Sequence, residues 1–351
     1  MSAAPSRDLS ATPVSPAEAG AAFDGLAAEA GLLVAVSGGP DSVALLALLA
    51  DWARTPGRPP LRAATVDHGL RPEAAIEAER VGELCAGLGV PHAVLRWAAP
   101  KPAKGIQEAA RRARYDLLAG EARRSGCSAI ATAHTLDDQA ETLLMRLAHG
   151  SGPAGLAGMQ PRTRRGDVAI VRPLLGFGKA RLVATAQARG LAFIRDPSNA
   201  DPRFERARWR ALAPALAEQG LDAARLGRLA ARMGRQEEAL SQRAAAVLAA
   251  CRLPAGGGGD LRLAFRQLAD EPEEIVLRVL ATALGEAAPA GESYGRLERL
   301  EACGAALLAA LRAGSAMRRT FFGCILALDR AGVLALRREG RRRRGVHPAT
   351  S

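Results

Sequence analysis

The sequence predicts an α/β fold in which a parallel sheet flanked by helices is followed by a helical connector and a small C-terminal α+β domain. Two observations lead to this prediction. Short apolar runs alternate with helix-length segments over the first half of the 351 residues, which is typical of parallel strands joined by crossover helices. Alanine, leucine, arginine and glutamate then recur at helical spacing from about residue 207 to residue 250, and mixed segments follow.

The first predicted strand, residues 32–36, leads directly into a hexapeptide and then into the apolar-periodic stretch 43–49. The hexapeptide is Ser37, Gly38, Gly39, Pro40, Asp41 and Ser42. Two glycines let the backbone approach an anion, the hydroxyls donate hydrogen bonds, and the start of a helix offers unpaired N–H groups. A phosphate-binding loop is therefore predicted. It is not a Walker A loop, because no Gly-Lys-Ser/Thr closes it, and the alternative is a Gly-Ser turn without a ligand.

Further strands and helices are predicted in alternation. The strands are residues 62–68, 92–97, 128–134 and 168–172, and the helices are residues 72–88, 106–124 and 136–148. Polar residues follow the strands at 37–42, 67–71 and 134–141. Because ligands bind where the carboxyl ends of parallel strands meet, we expect the chemistry at this edge of the sheet.

The second half of the chain predicts mainly helices. A helix is expected from residue 178, a turn-rich segment at 196–202, and helices over 207–250 that break only near Gly220 and Gly234. A flexible break at 256–259 precedes a helix at 297–312 and paired strands at 320–328 and 333–337. The predicted domains are a flexible tail (1–20), a catalytic domain (21–216), a helical connector (217–250), a small C-terminal domain (251–338) and a basic flexible tail (339–351).

The composition suggests a polyanionic partner. Lysine and arginine total 48 against 36 acidic residues, a formal net charge of +12, which favours nucleic acid over a small acidic metabolite. The alternative is a codon bias that writes arginine for lysine, but such a bias does not explain the excess of basic over acidic residues. Five scattered cysteines without a CxxC motif predict neither a zinc nor an iron–sulfur site, and they indicate a reducing compartment. No signal peptide or long apolar span is evident, so we expect a cytoplasmic protein that does not bind membranes.

A second chemical centre is predicted around His134. Thr135 can cap the helix that follows, with Asp138 three residues later as in a capping box. Asp137, Asp138 and Glu141 then cluster within one turn. Such acids can hold Mg²⁺ or receive a substrate ammonium, and the alternative is a set of carboxylates that only stabilise the helix dipole.

Several motifs in order along residues 31–210 resemble those of one family. They are SGGPDS (37–42), VDHGLR (66–71), ARRARY (110–115), TAHTLDDQAET (132–142), GSG and GLAGM (150–152 and 155–159), RPLL (172–175) and DPSN (196–199). The first resembles the pyrophosphate loop of the N-type ATP pyrophosphatases, and the ordered set resembles the tRNA(Ile)-lysidine synthetases. Two departures are His134-Thr135, where the family often has two histidines, and His149 where it often has arginine.

The resemblance implies a two-step ligase reaction. ATP adenylates O2 of the wobble cytidine in tRNA(Ile) with a CAU anticodon, pyrophosphate leaves, and free L-lysine attacks to give lysidine and AMP. It implies that residues 37–42 bind ATP and that Asp41, Asp137 and Asp138 are ligands of Mg²⁺. The further roles it implies are charge neutralisation by Arg111, and by Arg114 as a second option, a place near the α-phosphate for His134, and lysine binding by Asp137 and Glu141. The base that deprotonates lysine stays open between a carboxylate and His134.

Other assignments keep two options. Asp67 and His68 either bind the nucleotide or cap a turn. Arg203, Arg206, Arg208 and Arg210 either contact tRNA or form a solvated basic face. Rival functions are a tRNA cytidine thiolase of the same superfamily and a nucleotide- or RNA-binding protein without catalysis. The means of discrimination against tRNA(Met), the role of the C-terminal domain and the oligomeric state, with a dimer as one option, are left open.

Overall fold

The computed structural model describes residues 11–69, 73–102, 105–194, 201–256, 260–288 and 297–339. They form two compact units that divide between Gly234 and Arg235. The predicted domain boundaries near residues 216 and 250 lie on either side of this division and stay predictions. The basic tail from residue 340, residues 1–10, the DPSN motif and the glycines at 257–259 lie outside the described residues.

The first unit contains a six-stranded sheet of order β3-β2-β1-β4-β6-β5. All neighbours are parallel except β5, which runs antiparallel to β6. The strands are β1 (Leu32–Ala35), β2 (Leu61–Asp67), β3 (His92–Arg96), β4 (Ala129–Ala131), β5 (Arg162–Arg165) and β6 (Val168–Val171). The helices are α1 (Pro16–Phe23), α2 (Pro40–Ala53), α3 (Glu73–Gly87), α4 (Ile106–Arg124), α5 (Leu136–Ala148), α6 (Pro153–Leu156), α7 (Lys179–Ala188) and α8 (Glu205–Glu218).

The sheet is buried on both faces, as its apolar runs predict. Leu32 and Val34 of β1 belong to a core that includes residues of α1, α2 and α7. Leu33 and Ala35 point to the opposite core, which includes residues of α4. Because successive strand residues alternate between faces, one short strand holds both helical layers in place. The predicted parallel α/β class is confirmed.

The second unit is an antiparallel sheet packed against helices. The sheet order is β7-β8-β11-β10-β9, from β7 (Arg252–Leu253), β8 (Leu261–Leu263), β9 (Met317–Phe321), β10 (Cys324–Leu328) and β11 (Leu334–Arg338). Helices α10 (Glu273–Ala287) and α11 (Leu297–Arg312) share one core with the sheet and with the end of α9 (Ala223–Cys251). The predicted C-terminal α+β unit and the helix at 297–312 are confirmed.

Four details correct the sequence-based prediction. Helix α9 runs without a break through Gly234, since one glycine inside a long helix costs only about 1 kcal/mol. The predicted strand 320–328 is two strands, because Phe322 and Gly323 both have positive φ, 56° and 62°, as in a two-residue hairpin turn. Strand β5 was not predicted, because its arginines give no apolar signal. The N-terminal tail does not extend to residue 20, because α1 starts at Pro16 and buries Ala19.

Candidate active site

The hexapeptide at 37–42 connects β1 to α2 as predicted. Gly39 is the N-cap of α2, so the first amides of that helix have no capping side chain and point to the open end of the loop. Gly38 has a φ of +82°, and a Cβ on it would lie 2.7 Å from Ile194 Cδ1. The Ser42 hydroxyl donates to the Gly39 carbonyl at 2.9 Å and accepts from the Ser37 amide at 3.2 Å. The loop is held from inside while its amides stay available to an anion.

Asp41 stands in the first turn of α2 and is largely buried. Its Oδ2 lies 3.1 Å from Lys179 Nζ, whereas its Oδ1 is buried without a hydrogen-bond partner among the described residues. Burial raises the pKa of Asp41, the ammonium of Lys179 lowers it, and the charges of Asp138 and Asp137 raise it further. The three acids predicted as metal ligands therefore act on one another electrostatically.

The start of α5 has the predicted capping box. The Asp138 carboxylate accepts from the Thr135 amide at 2.9 Å and from its hydroxyl at 3.0 Å. The Asp138 amide in turn donates to Thr135 Oγ1 at 3.2 Å. Asp137 points elsewhere, and its Oδ2 accepts from the backbone amide of Lys179 at 2.7 Å. Asp138 thus caps the start of α5, and Asp137 connects α5 to the first residue of α7.

Glu141 is buried, 6% exposed, and paired with an arginine of α8. Arg210 Nε donates to Glu141 Oε1 at 2.8 Å, and a terminal nitrogen of Arg210 donates to Oε2 at 3.0 Å. Burial raises the pKa of Glu141, and Arg210 opposes that shift. Arg206 lies 3.8 Å from Asp138 and donates to Thr142 Oγ1 at 3.2 Å. Glu141 and Asp138 therefore face arginines of α8.

His134 follows β4 at the same edge of the sheet. Its Nδ1 lies 2.9 Å from Thr132 Oγ1. Burial lowers the pKa of His134 to about 4; the charge of Asp138 opposes this, and three arginines lower the pKa further. The imidazole is therefore neutral at neutral pH. The three arginines are Arg172, Arg114 and Arg111.

Those three arginines make no ion pair with an acid within the described ranges. Arg172 is 9% exposed and donates to the Gln160 carbonyl at 2.7 Å and to Thr163 Oγ1 at 3.1 Å. Arg111 stacks over the Tyr115 ring at 5.5 Å. Burial lowers the pKa of Arg114. A group of cations without acidic partners beside a neutral histidine is suited to an anionic ligand.

Asp67 is the last residue of β2, and His68 follows it. Asp67 Oδ1 accepts from the Gly69 amide at 2.7 Å, which is the turn-capping option for this residue. The His68 ring meets Trp97 edge-on with centroids 6.1 Å apart, and its Nδ1 is buried without a partner in the described part of the chain. His68 therefore keeps a free polar atom at the ligand edge, whereas the Asp67 oxygen is occupied.

Three of the four arginines predicted to contact tRNA lie next to acids. Arg206 and Arg210 face the acids of α5, and Arg203 pairs with Asp201 at 2.6 Å. Arg208 is exposed and donates to the carbonyls of Pro202 and Arg203, at 3.0 and 3.2 Å. Among described residues, Arg208 is thus the one of the four without an acid within ion-pair distance.

Lys179 and Arg172 lie in the site although neither was predicted as a site residue. Arg172 begins the RPLL motif, and Lys179 is the only lysine after residue 104. The scarcity of lysine in the chain was the one sequence signal for Lys179, but its partner Asp41 is 138 positions earlier in the chain. No local pattern connects residues so far apart.

The residues fit a magnesium ion that arrives with a nucleotide. Within the described ranges, no group of three or more histidine, cysteine, aspartate or glutamate side chains could hold a metal by itself. Asp41 nevertheless offers a buried carboxylate oxygen without a hydrogen-bond partner among the residues described, next to the charges of Asp137 and Asp138. Mg²⁺ commonly uses one or two carboxylates together with substrate phosphates. This site can supply the carboxylates, and a bound nucleotide would supply the phosphates.

Comparisons with known proteins find relatives over most of the chain. Residues 17–216 match the PP-loop domain family. The chain is 51% identical over 322 residues to the tRNA(Ile)-lysidine synthase of Methylobacterium nodulans, covering 92% of this chain and 94% of that one. It is 45% identical to the synthase of the same name from a Bradyrhizobium species, covering 95% and 97%.

A solved structure shares the fold. The U34-tRNA thiolase NcsA from Methanococcus maripaludis, with its 4Fe–4S cluster, superposes with a TM-score of 0.53 at 16% identity, covering 63% of this chain and 77% of that one. At this identity the likeness concerns the fold alone. Over the described ranges, no helix has the length and apolar character required to cross a membrane.

Proposed function

This chain belongs to the tRNA(Ile)-lysidine synthase family, and from this membership we propose that it joins free L-lysine to the wobble cytidine of tRNA(Ile) with a CAU anticodon. ATP activates O2 of the cytidine as an adenylate, pyrophosphate leaves, and the ε-amine of lysine displaces AMP. The observation that supports this most is the 37–42 loop, which leads into a helix without a capping side chain. This loop, with its Asp41, lies at the same sheet edge as His134 and the acids of α5. We place the catalytic domain at residues 21–216, close to the matched 17–216.

The loop binds the phosphates of ATP in this proposal. The amides of Gly38, Gly39 and the first turn of α2 hold the β- and γ-phosphates, and Ser37 and Ser42 add hydroxyl contacts. The bond that breaks joins the α-phosphorus to its bridging oxygen, and its electron pair leaves with pyrophosphate. Donors placed on that leaving group stabilise it as its charge grows.

Asp41 would hold a magnesium ion, with Asp137 and Asp138 nearby. When bound, that ion neutralises phosphate charge and orients the nucleotide. The support is the orphaned Oδ1 of Asp41. A buried carboxylate oxygen is costly to leave without a partner.

In this proposal the arginines act on the α-phosphate, and His134 lies near them. Arg111, Arg114 and Arg172 neutralise the charge that develops there. The Thr132 hydroxyl also donates to the Val171 carbonyl at 3.3 Å, so its proton is used and His134 Nδ1–H donates to Thr132. His134 Nε2 is then left as an acceptor, so the neutral ring offers no N–H to a phosphate oxygen. Its low pKa supports a carboxylate, and not the imidazole, as the group that takes the proton from lysine.

Glu141 and Asp137 bind the incoming lysine in this proposal. The Arg210 guanidinium donates two hydrogen bonds to the Glu141 carboxylate. The ammonium of the incoming lysine would therefore displace Arg210 from Glu141. The exchange replaces one cation by another, and Glu141 never stands as an isolated buried charge.

Pyrophosphate exchange tests the proposed function. Wild-type protein should incorporate labelled pyrophosphate into ATP only when tRNA(Ile) is added, and lysine should then convert the tRNA to a heavier product by mass spectrometry. Asp41→Asn should abolish exchange but leave tRNA binding within a few-fold. Asp51→Asn is the matched control, because Asp51 sits on the same helix but pairs with Arg54 and Arg189.

The rival functions give other results. A thiolase would modify the tRNA only with a sulfur donor, and a non-catalytic binding protein would show no exchange with any tRNA. Exchange by Asp41→Asn at the wild-type rate would contradict the role given to the loop.

A further inference from the structure

Lys179 connects the two acidic centres of the site. It is the first residue of α7, and its amide donates to Asp137 Oδ2 at 2.7 Å. Its ammonium lies 3.1 Å from Asp41 Oδ2. One residue thus touches the first turn of α2 through its side chain and the first turn of α5 through its backbone.

The phosphate loop has no positive side chain of its own. Between Ser37 and Ser42 the only charged residue is Asp41, and a pyrophosphate group is a polyanion. Walker A loops meet this need with a lysine inside the loop that reaches the β- and γ-phosphates. Here Lys179 brings an ammonium from another element to Asp41 in the loop.

We propose that Lys179 binds the β- and γ-phosphates of ATP and the departing pyrophosphate, and that it exchanges Asp41 for these phosphates when the nucleotide enters. This inference rests on the proposed function. Lys179 forms no covalent bond in the reaction. It donates hydrogen bonds to oxygens that gain negative charge, and Asp41 becomes available to the cation that accompanies the nucleotide.

The packing of α7 suits such an exchange. Leu182, one turn after Lys179, is fully buried in the core that also contains α2 residues, and the bond to Asp137 fixes the backbone. The Lys179 side chain is 39% exposed, so its four-carbon stem has room to turn. A lysine is a compact charge on a flexible stem, which can move between two anionic partners.

The competing explanation is that Lys179 only neutralises Asp41. The two explanations differ in a metal-free measurement of inorganic pyrophosphate binding by calorimetry in EDTA. Lys179→Met should weaken binding about 10- to 100-fold, as expected for a lost charged hydrogen bond. Asp41→Asn frees the ammonium, so it should bind pyrophosphate at least as tightly as wild type.

The double variant decides between the explanations. Asp41→Asn with Lys179→Met should bind pyrophosphate about 10- to 100-fold more weakly than Asp41→Asn alone, because only the ammonium differs between them. If it binds as tightly as Asp41→Asn alone, Lys179 is a counter-ion of Asp41 and the proposal is overturned. A wild-type chain that binds neither pyrophosphate nor ATP would overturn it as well.

Two further variants control for folding and for charge. Arg181→Gln removes one positive charge from the same helix, but Arg181 pairs with Glu18, so pyrophosphate binding should not change. Lys179→Arg should recover part of the affinity, and all variants are first checked by thermal melting. If Lys179-dependent pyrophosphate binding is found in a chain without tRNA-dependent exchange, the proposed function fails and the phosphate contact stands.

Discussion

Gly38 and Gly39 are neighbours with different requirements, and substitution separates them. Gly38→Ala should destabilise the protein by at least about 2 kcal/mol, because a positive φ alone costs an alanine roughly 1–2 kcal/mol and its Cβ would meet Ile194. Gly39→Ala should fold normally, because its Cβ meets only Ser37 Oγ, at 3.7 Å, yet it should weaken ATP binding by crowding the anion. Urea unfolding and nucleotide calorimetry measure the two effects. Full ATP affinity in Gly39→Ala would argue against phosphate at this loop.

His134 should make stability depend on pH in acid. Its pKa is about 4 in the folded protein against an ordinary 6.5, so the unfolded chain binds a proton between these values and the folded chain does not. The stabilisation is complete above pH 6.5 and is lost as pH falls toward 4, by about 3 kcal/mol over the whole window.

Comparison with His134→Gln isolates this effect. Asp138, Arg172, Arg114 and Arg111 act on His134 in the wild type and are kept in the variant, so the two proteins differ only at this side chain. Between pH 7 and pH 4 the wild type should lose about 3 kcal/mol of unfolding free energy more than the variant loses. A difference that does not change with pH would mean that the imidazole titrates alike in both states.

Two helical glycines should respond to alanine in opposite directions. Gly234 lies inside α9, where a Cβ would meet only Gln160 Nε2 at 3.8 Å, so Gly234→Ala should stabilise by about 0.5–1 kcal/mol. Gly304 lies inside α11, where a Cβ would lie 2.7 Å from Leu277 Cδ2, so Gly304→Ala should destabilise by about 1–3 kcal/mol through overpacking. Denaturant unfolding of both variants gives the signs, and a loss of stability in Gly234→Ala would show that the helix needs this glycine.

The elements that the sequence predicted correctly are those with local signals. The Thr135–Asp138 capping box needs residues only three apart, and β1 is recognisable from its own apolar run. The break predicted at Gly234 was wrong because glycine weakens a helix without ending it. Strand β5 was missed because three of its four residues are arginines. The contacts of the site are not local: Arg210 and Glu141 are 69 positions apart, so only the fold brings them together.

The whole molecule carries an excess of positive charge, and its affinity for tRNA should fall steeply with salt. Counterion release predicts a slope of about 0.7 to 0.9 per phosphate contact in a plot of log binding constant against log salt. Arg208→Ala should flatten the slope by about one contact, because Arg208 is exposed and has no acid within ion-pair distance among the described residues. Arg203→Ala is the control, since Asp201 already neutralises that side chain.

Filter binding of tRNA(Ile) and tRNA(Met) over a salt series measures this slope. Both tRNAs should weaken alike in Arg208→Ala, because phosphate contacts position a nucleic acid and base contacts specify it. An unchanged slope in Arg208→Ala would place the backbone contacts on another surface.

Because all five cysteines are buried, their reaction with a thiol reagent can report local opening of the protein. Each thiol can react with a reagent only when the chain around it unfolds transiently, so the labelling rate of each site reads a local free energy. Cys85 and Cys127 report on the first unit, and Cys251, Cys303 and Cys324 report on the second. A nucleotide that binds the 37–42 loop should slow the labelling of the first pair, so ligand-induced tightening can be followed by mass spectrometry without any engineered probe.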